Sequence, residues 1–297
     1  MNKYKNLIGG GILLLAAIIW GFAFVAQSEG MEKVGAFTFQ ATRMLLAALV
    51  LLPTSLVFDK MREKNSGKRR VFMDKKTLFA GMVCGVFLFG AASLQQIGIM
   101  YTSVGHAGFL TALYLLLVPV LGLFMGKKVG ARIWFCIALA LVGLYLLFMT
   151  GEGFSVSLGD VLVMLCALVF AFHIIAVDKL AGELDGVKVS LVQMAFAGLV
   201  SLVCALIFEE PNVSDIAASW LPIAYAGVLS CGVAYTLQIV GQKYAEPTVA
   251  SIVMSLESVF AVLGGMIFLF DIPSLTEFAG CALMFAATII SQLPERK

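Results

Sequence analysis

A chain of 297 residues that is 61% hydrophobic and 13% charged, with a mean hydropathy of +1.01, cannot clothe itself in a water-compatible surface, since soluble domains carry about a quarter charged residues. The formal net charge is only +2, yet eight of the twenty basic residues fall between Lys60 and Lys76. Flanked by long apolar stretches, that run reads as a cytoplasmic loop of a membrane protein and excludes a nucleic-acid face.

About 20 apolar residues span a bilayer core, and ten such stretches follow one another at 7–27, 35–57, 78–100, 104–126, 132–150, 158–177, 186–208, 220–241, 247–270 and 275–293. The first is preceded by Lys3 and Lys5 and ends near Ala26-Gln27-Ser28, as a signal peptide does, but its length and the nine spans behind it predict that it is retained. The prediction is an all-α membrane protein with ten transmembrane helices. With the N-terminus inside, 18 Lys and Arg fall in inner segments, Lys33 alone lies in an outer loop, and Arg43 lies within a span. That asymmetry predicts a multi-pass protein of the plasma membrane with both termini cytoplasmic. The six Cys sit singly in apolar stretches without C-x-x-C spacing, so they read as reduced core residues rather than disulfides or metal ligands.

The chain also matches itself. At an offset of 150, Gly9, Trp20, Phe22, Met44 and Ala47 meet Gly159, Phe170, Phe172, Met194 and Ala197. At an offset of 142, Gly85, Gly90 and Gln96 meet Gly227, Gly232 and Gln238. Five is odd, so the second copy enters the membrane from the opposite side. The expected architecture is two inverted five-helix repeats, 1–150 and 151–297, able to rock about a shared central site.

Several segments resemble the ten-helix EamA-type branch of the drug/metabolite transporter superfamily over nearly the whole chain. They are Ile19–Val25 (IWGFAFV), Ala41–Ala47 (ATRMLLA), Ile97–Val120, Leu158–Leu162 (LGDVL) and Ala250–Ala261 (ASIVMSLESVFA). The resemblance implies export of small metabolites, amino acids or drugs. Two positions depart from the family pattern: Glu257-Ser258 stands where Glu-Pro is common, and Asp271 where a Glu is frequent. Without that Pro, a straighter ninth helix is expected.

Ionisable groups at membrane depth are costly, by about 2.5–3.5 kcal/mol on insertion scales, which singles out Arg43, His173 and Glu257. On a helical wheel of the ninth span, Glu257 shares a face with Ser251, Ser255, Ser258 and Gly264, opposite Ile252, Val253, Leu256 and Val259. Glu257 therefore points into the bundle, where it binds a substrate amine, carries a coupling proton or stitches two helices together. Arg43 suits a substrate carboxylate, or else bonds helix-end carbonyls or snorkels outwards. His173 is a candidate relay or a hydrogen-bonded core group. Gln96 and Gln238 occupy equivalent positions and can hold a zwitterion without a buried charge, or bond each other. Trp20, Tyr101, Tyr114 and Tyr235, with Phe22, Phe170 and Phe172, supply an apolar wall for an amphipathic solute.

These residues predict a secondary transporter that exports a small amphipathic metabolite, amino acid or drug by alternating access, with Glu257 coupling protons and facilitated diffusion as the alternative. An intramembrane enzyme acting on lipid or peptide is the competing class. It would need a nucleophile with a base or paired aspartates, whereas Asp160 and Asp178 lie about 27 Å apart along one helix and neither His106 nor His173 has a recognisable Ser partner. A non-transporting receptor or assembly subunit would show a soluble domain or long loop, and the longest loop is only about 20 residues. No ATP, metal or other cofactor motif is present. The expected partners are the solute, the lipid bilayer and protons, with a second copy of the chain as a further candidate and nucleic acid excluded.

Overall fold

The computed structural model describes residues 3–66, 72–102, 104–148, 157–269 and 273–293. Lys68, Arg69 and Arg70 of the basic run, Asp271, Arg296 and Lys297 lie outside the described residues, as do the side chains of Lys3, Lys5 and His106. Every regular element among the described residues is helical. The spans are Lys3–Gly30, Ala36–Ser66, Lys75–Ile99, a fourth in two pieces (Val104–Ala112 and Tyr114–Phe124), Ala131–Phe148, Leu158–Ala181, Gly186–Phe208, Trp220–Gly241, a ninth in two pieces (Pro247–Met254 and Glu257–Gly264) and Leu275–Gln292. Nine of these described spans are long and apolar enough to cross a bilayer, and the fifth is a shorter apolar helix over Ala131–Leu147. The second span runs nine residues past its expected end at 57, so Lys60, Arg62 and Lys64 extend a helix rather than a loop.

Local chemistry sets many of the starts. Asp74 accepts from the Thr77 amide at 2.6 Å and Asp185 from that of Val187 at 3.0 Å. Ser157 with Asp160 and Ser274 with Glu277 form reciprocal capping boxes, and Pro247 opens the ninth span where its missing N–H costs nothing.

The helices pack in a pattern that survives exchange of each span with the one five places on. The second lies along the seventh and the fifth along the tenth. The third packs on the sixth as the first does on the eighth, and the first packs on the ninth as the sixth does on the fourth. Close approaches obey the same rule. A Cβ on Gly85 would stand 3.2 Å from the Gln193 carbonyl and 3.0 Å from Phe196. One on Gly227 would stand 2.9 Å from the Arg43 carbonyl and 2.8 Å from Leu46. Gly227 follows Gly85 by 142 positions, while Gln193 and Phe196 follow Arg43 and Leu46 by 150, the two offsets read from the sequence.

Both ends of the second and seventh spans are fastened by equivalent carboxylates. At one end Glu209 accepts from the Phe37 and Thr38 amides, each at 2.8 Å, and from the Thr38 hydroxyl at 2.6 Å. At the other, Asp59 pairs with Lys188 at 2.7 Å, and Arg62 pairs with Asp185. Glu209 and Lys188 follow Asp59 and Thr38 by 150 positions. Alternate loops gather at each end, as alternating spans require. Lys127 meets Asp178 at 3.2 Å and Lys243 donates to the Leu184 carbonyl at the basic end, whereas Thr102 donates to Asp160 at the opposite end.

The ninth helix is not straight, although Ser258 replaces the expected Pro. It breaks at Ser255-Leu256, where Leu256 N bonds Val253 O at 3.2 Å and Ser258 N bonds Ser255 O at 3.1 Å, the tighter i to i+3 pattern. The Ser255 hydroxyl donates back to Ile252 O at 2.8 Å, an interaction that bends helices without proline. The fourth span breaks at the equivalent Leu113, with Leu113 N on Leu110 O and Leu116 N on Leu113 O. Discontinuous helices in matching positions of two halves mark the binding level of secondary transporters.

Candidate functional site

The two breaks face each other. Tyr114 opens the second piece of the fourth span and Glu257 that of the ninth, and the Tyr114 hydroxyl donates to Glu257 Oε1 at 3.0 Å. Glu257, only 6% exposed, stands at a half-helix N-terminus, where the peptide dipoles favour a negative charge. The wheel expectation that it turns into the bundle agrees with its burial. Its supposed opposite face is buried as well, because Ile252, Val253, Leu256 and Val259 are enclosed too. Through these residues the ninth span packs among the first, fourth, fifth and tenth.

Around this pair lies a small cleft of about 50 Å³. Trp20, Phe24 and Gln27 line it from the first span, Arg43 and Met44 from the second, and Gln95, Thr111 and Tyr114 from the third and fourth. The sixth, eighth and ninth contribute Phe170, Ile174, Ser230, Cys231, Tyr235, Gln238, Met254 and Glu257.

Its wall combines aromatic surface with unmatched polar atoms. Arg43, 4% exposed, donates to Gln27 Oε1 at 2.8 Å and lies 5.4 Å from the centroid of Phe39, while its Nε has no protein partner. The Trp20 ring meets Tyr235 edge-on at 4.8 Å, and its Nε1 is likewise unmatched, as is Gln238 Oε1. Leaving such buried atoms unmatched costs about 1–3 kcal/mol each.

Six of the nine residues singled out by sequence thus share one cleft: Trp20, Arg43, Tyr114, Tyr235, Gln238 and Glu257. Three lie outside its lining. Gln96 is buried, with its amide nitrogen on the Met31 sulfur rather than on Gln238. Tyr101 sits on the turn after the third span and is 56% exposed. His173 is fully buried behind Tyr235, bonded through Nε2 to Gln193 Oε1 at 3.1 Å. Of the phenylalanines, Phe170 lines the cleft, whereas Phe172 stacks on Phe87 and Phe22 faces a separate apolar groove.

Sequence reasoning missed Gln27, Gln95, Thr111 and Ser230. Gln95 is instructive, because the repeat pointed to its neighbour Gln96 as the partner of Gln238. The eighth span contains a π-helical stretch, Tyr225–Ala234. A π turn inserts one residue, so every later side chain in the helix lags by about 100°. Gln238 then points where residue 237 would in an uninterrupted helix, and 237 is the counterpart of Gln95. Gln95 donates to Thr111 at 3.1 Å, tying the third span to the fourth beside the cleft.

The sequence profile of the EamA-like transporter family matches residues 7–149 and again 157–292. An uncharacterized transporter of Archaeoglobus fulgidus is 28% identical, covering 97% of this chain and 87% of its own length. A WAT1-related protein of Arabidopsis thaliana, named as chloroplastic, is 24% identical over 99% of this chain and 73% of its own. A crystal structure 19% identical superposes with a TM-score of 0.78 over 96% of this chain and 98% of that one, which shows a shared fold.

Proposed function

The chain belongs to the EamA-like transporter family, and on that premise we propose that it is a secondary carrier exporting a small amphipathic solute by alternating access. It is a membrane transporter of ten helices and not an enzyme. In this reading residues 1–150 and 151–297 are oppositely oriented units, and the basic end, with both termini, faces the cytoplasm of a plasma membrane. The observation that carries the proposal is the meeting of two helix breaks at Tyr114 and Glu257 inside a cleft with unmatched polar atoms.

The chemistry suggests how the solute lies. An anionic or carbonyl end takes the Arg43 guanidinium and the Trp20 N–H. An ammonium or other donor takes Glu257 and Gln238 Oε1. The apolar body rests on Phe24, Phe170 and Tyr235. A proton on Glu257 competes with a bound ammonium, so exchange of the two couples export to a proton gradient.

The test is flux in liposomes holding the purified protein, screened with amino acids, nucleosides and cationic dyes. Glu257→Gln should abolish pH-driven accumulation across about pH 6 to 8 while residual exchange persists, since the amide cannot carry a proton. Unaltered pH dependence in Glu257→Gln would remove the coupling and leave facilitated diffusion.

A further inference from the structure

Arg43 has a counterpart that the cleft does not include. Gln193 lies 150 positions on, seven residues into the seventh span as Arg43 is into the second. Each reaches across to the preceding span of its own half: Arg43 to Gln27 on the first, Gln193 to His173 on the sixth. The first pair borders the cleft, and the second is sealed, with both side chains fully buried.

The sealed pair is incompletely matched. With His173 Nε2 donating to Gln193 Oε1, His173 Nδ1 is left as an acceptor and Gln193 Nε2 as a donor, and neither has a protein partner. Nearby, Gln242 donates to Ile174 O at 3.0 Å while its Oε1 is unmatched. Only a thin layer divides these atoms from the cleft. Tyr235 lines the cleft, and its ring also lies 6.0 Å from His173 at 85°; Phe170 and Ile174, on the same helix as His173, line the cleft too.

We propose that His173 and Gln193 are the second polar half-site of the transport path, uncovered at the basic end by movement of Tyr235 when the Arg43–Gln27 side closes. This rests on the carrier reading above. The half-site is uncharged, offering one acceptor and one donor, so it takes the neutral or zwitterionic head of the solute by hydrogen bonds and gives no ion pair to an anionic one. An anionic end is therefore gripped by charge at Arg43 alone, which makes the two halves of the path unequal in what they hold.

Thiol accessibility tests it without needing to know the solute. In full-length protein with the six native Cys replaced by Ala, Gln193→Cys should react with a small membrane-impermeant thiol reagent added at the basic end, and Gln27→Cys with reagent added at the opposite end. A transported solute that favours one state should change the two rates in opposite directions, shifting their ratio about tenfold if it favours that state by about 1.4 kcal/mol. Gln193→Leu, checked for an unaltered melting profile, should lower flux severalfold. A Gln193→Cys thiol that stays inert from both sides, or wild-type flux in Gln193→Leu, overturns the proposal. Absence of flux for every solute in the wild type would instead sink the carrier reading, and a reactive Gln193→Cys would still report an opening half-site.

Discussion

The third and eighth spans are the same helix in packing and differ in the side chains that they present to the cleft. Gly85 and Gly227 bring both against equivalent carbonyls, of Gln193 and Arg43. Eleven residues on, Gln96 is sealed against Met31 while Gln238 opens onto the cleft. The π turns between Tyr225 and Ala234 account for the difference, because an extra residue in a turn alters facing without moving the helix axis. A duplicated scaffold can thus keep its contacts and still change which side chains line the cleft.

Removing the extra residue should break the comparison most severely. Deleting Leu229, which is partly exposed on the eighth span, should restore an α-helical pitch and turn Tyr235 and Gln238 out of the cleft. Flux should fall by roughly a hundredfold, the scale of a small misplacement in a site, with helicity by circular dichroism retained. A smaller contrast is expected from Gln238→Leu against Gln96→Leu. The first should weaken solute binding about fivefold, the worth of a hydrogen bond of about 1 kcal/mol, and the second should leave binding unaltered in a titration. The smallest effect concerns stability. Gly227→Ala forces a methyl against backbone and should cost about 1–3 kcal/mol, whereas Gly85→Ala meets the looser contact and should lower the detergent melting temperature less.

The ten spans, their register and the inward turn of Glu257 were legible because hydropathy, basic-loop asymmetry and glycine positions record membrane crossing and close packing directly. The breaks were not. The ninth helix bends through hydroxyl bonding at Ser255 and not through proline, and Leu113 carries no mark at all that distinguishes it from its neighbours. The π stretch is equally silent, which is why Gln96 was chosen over Gln95. Tyr101 was grouped with the wall by residue type, but it lies beyond the end of its helix with its side chain largely exposed. His173 and Arg43 were recognisable as costly residues, yet only three-dimensional packing shows Arg43 beside the cleft and His173 behind a tyrosine.

Glu209 holds Thr38 at the same moment that Asp59 holds Lys188. Two latches at opposite ends thus tie the second helix to the seventh at both of its tips. In the carrier reading, the second and seventh helices are then the keel of the protein, a beam held at both tips while other spans move. Stapling that beam at both tips with covalent crosslinks should leave traffic running.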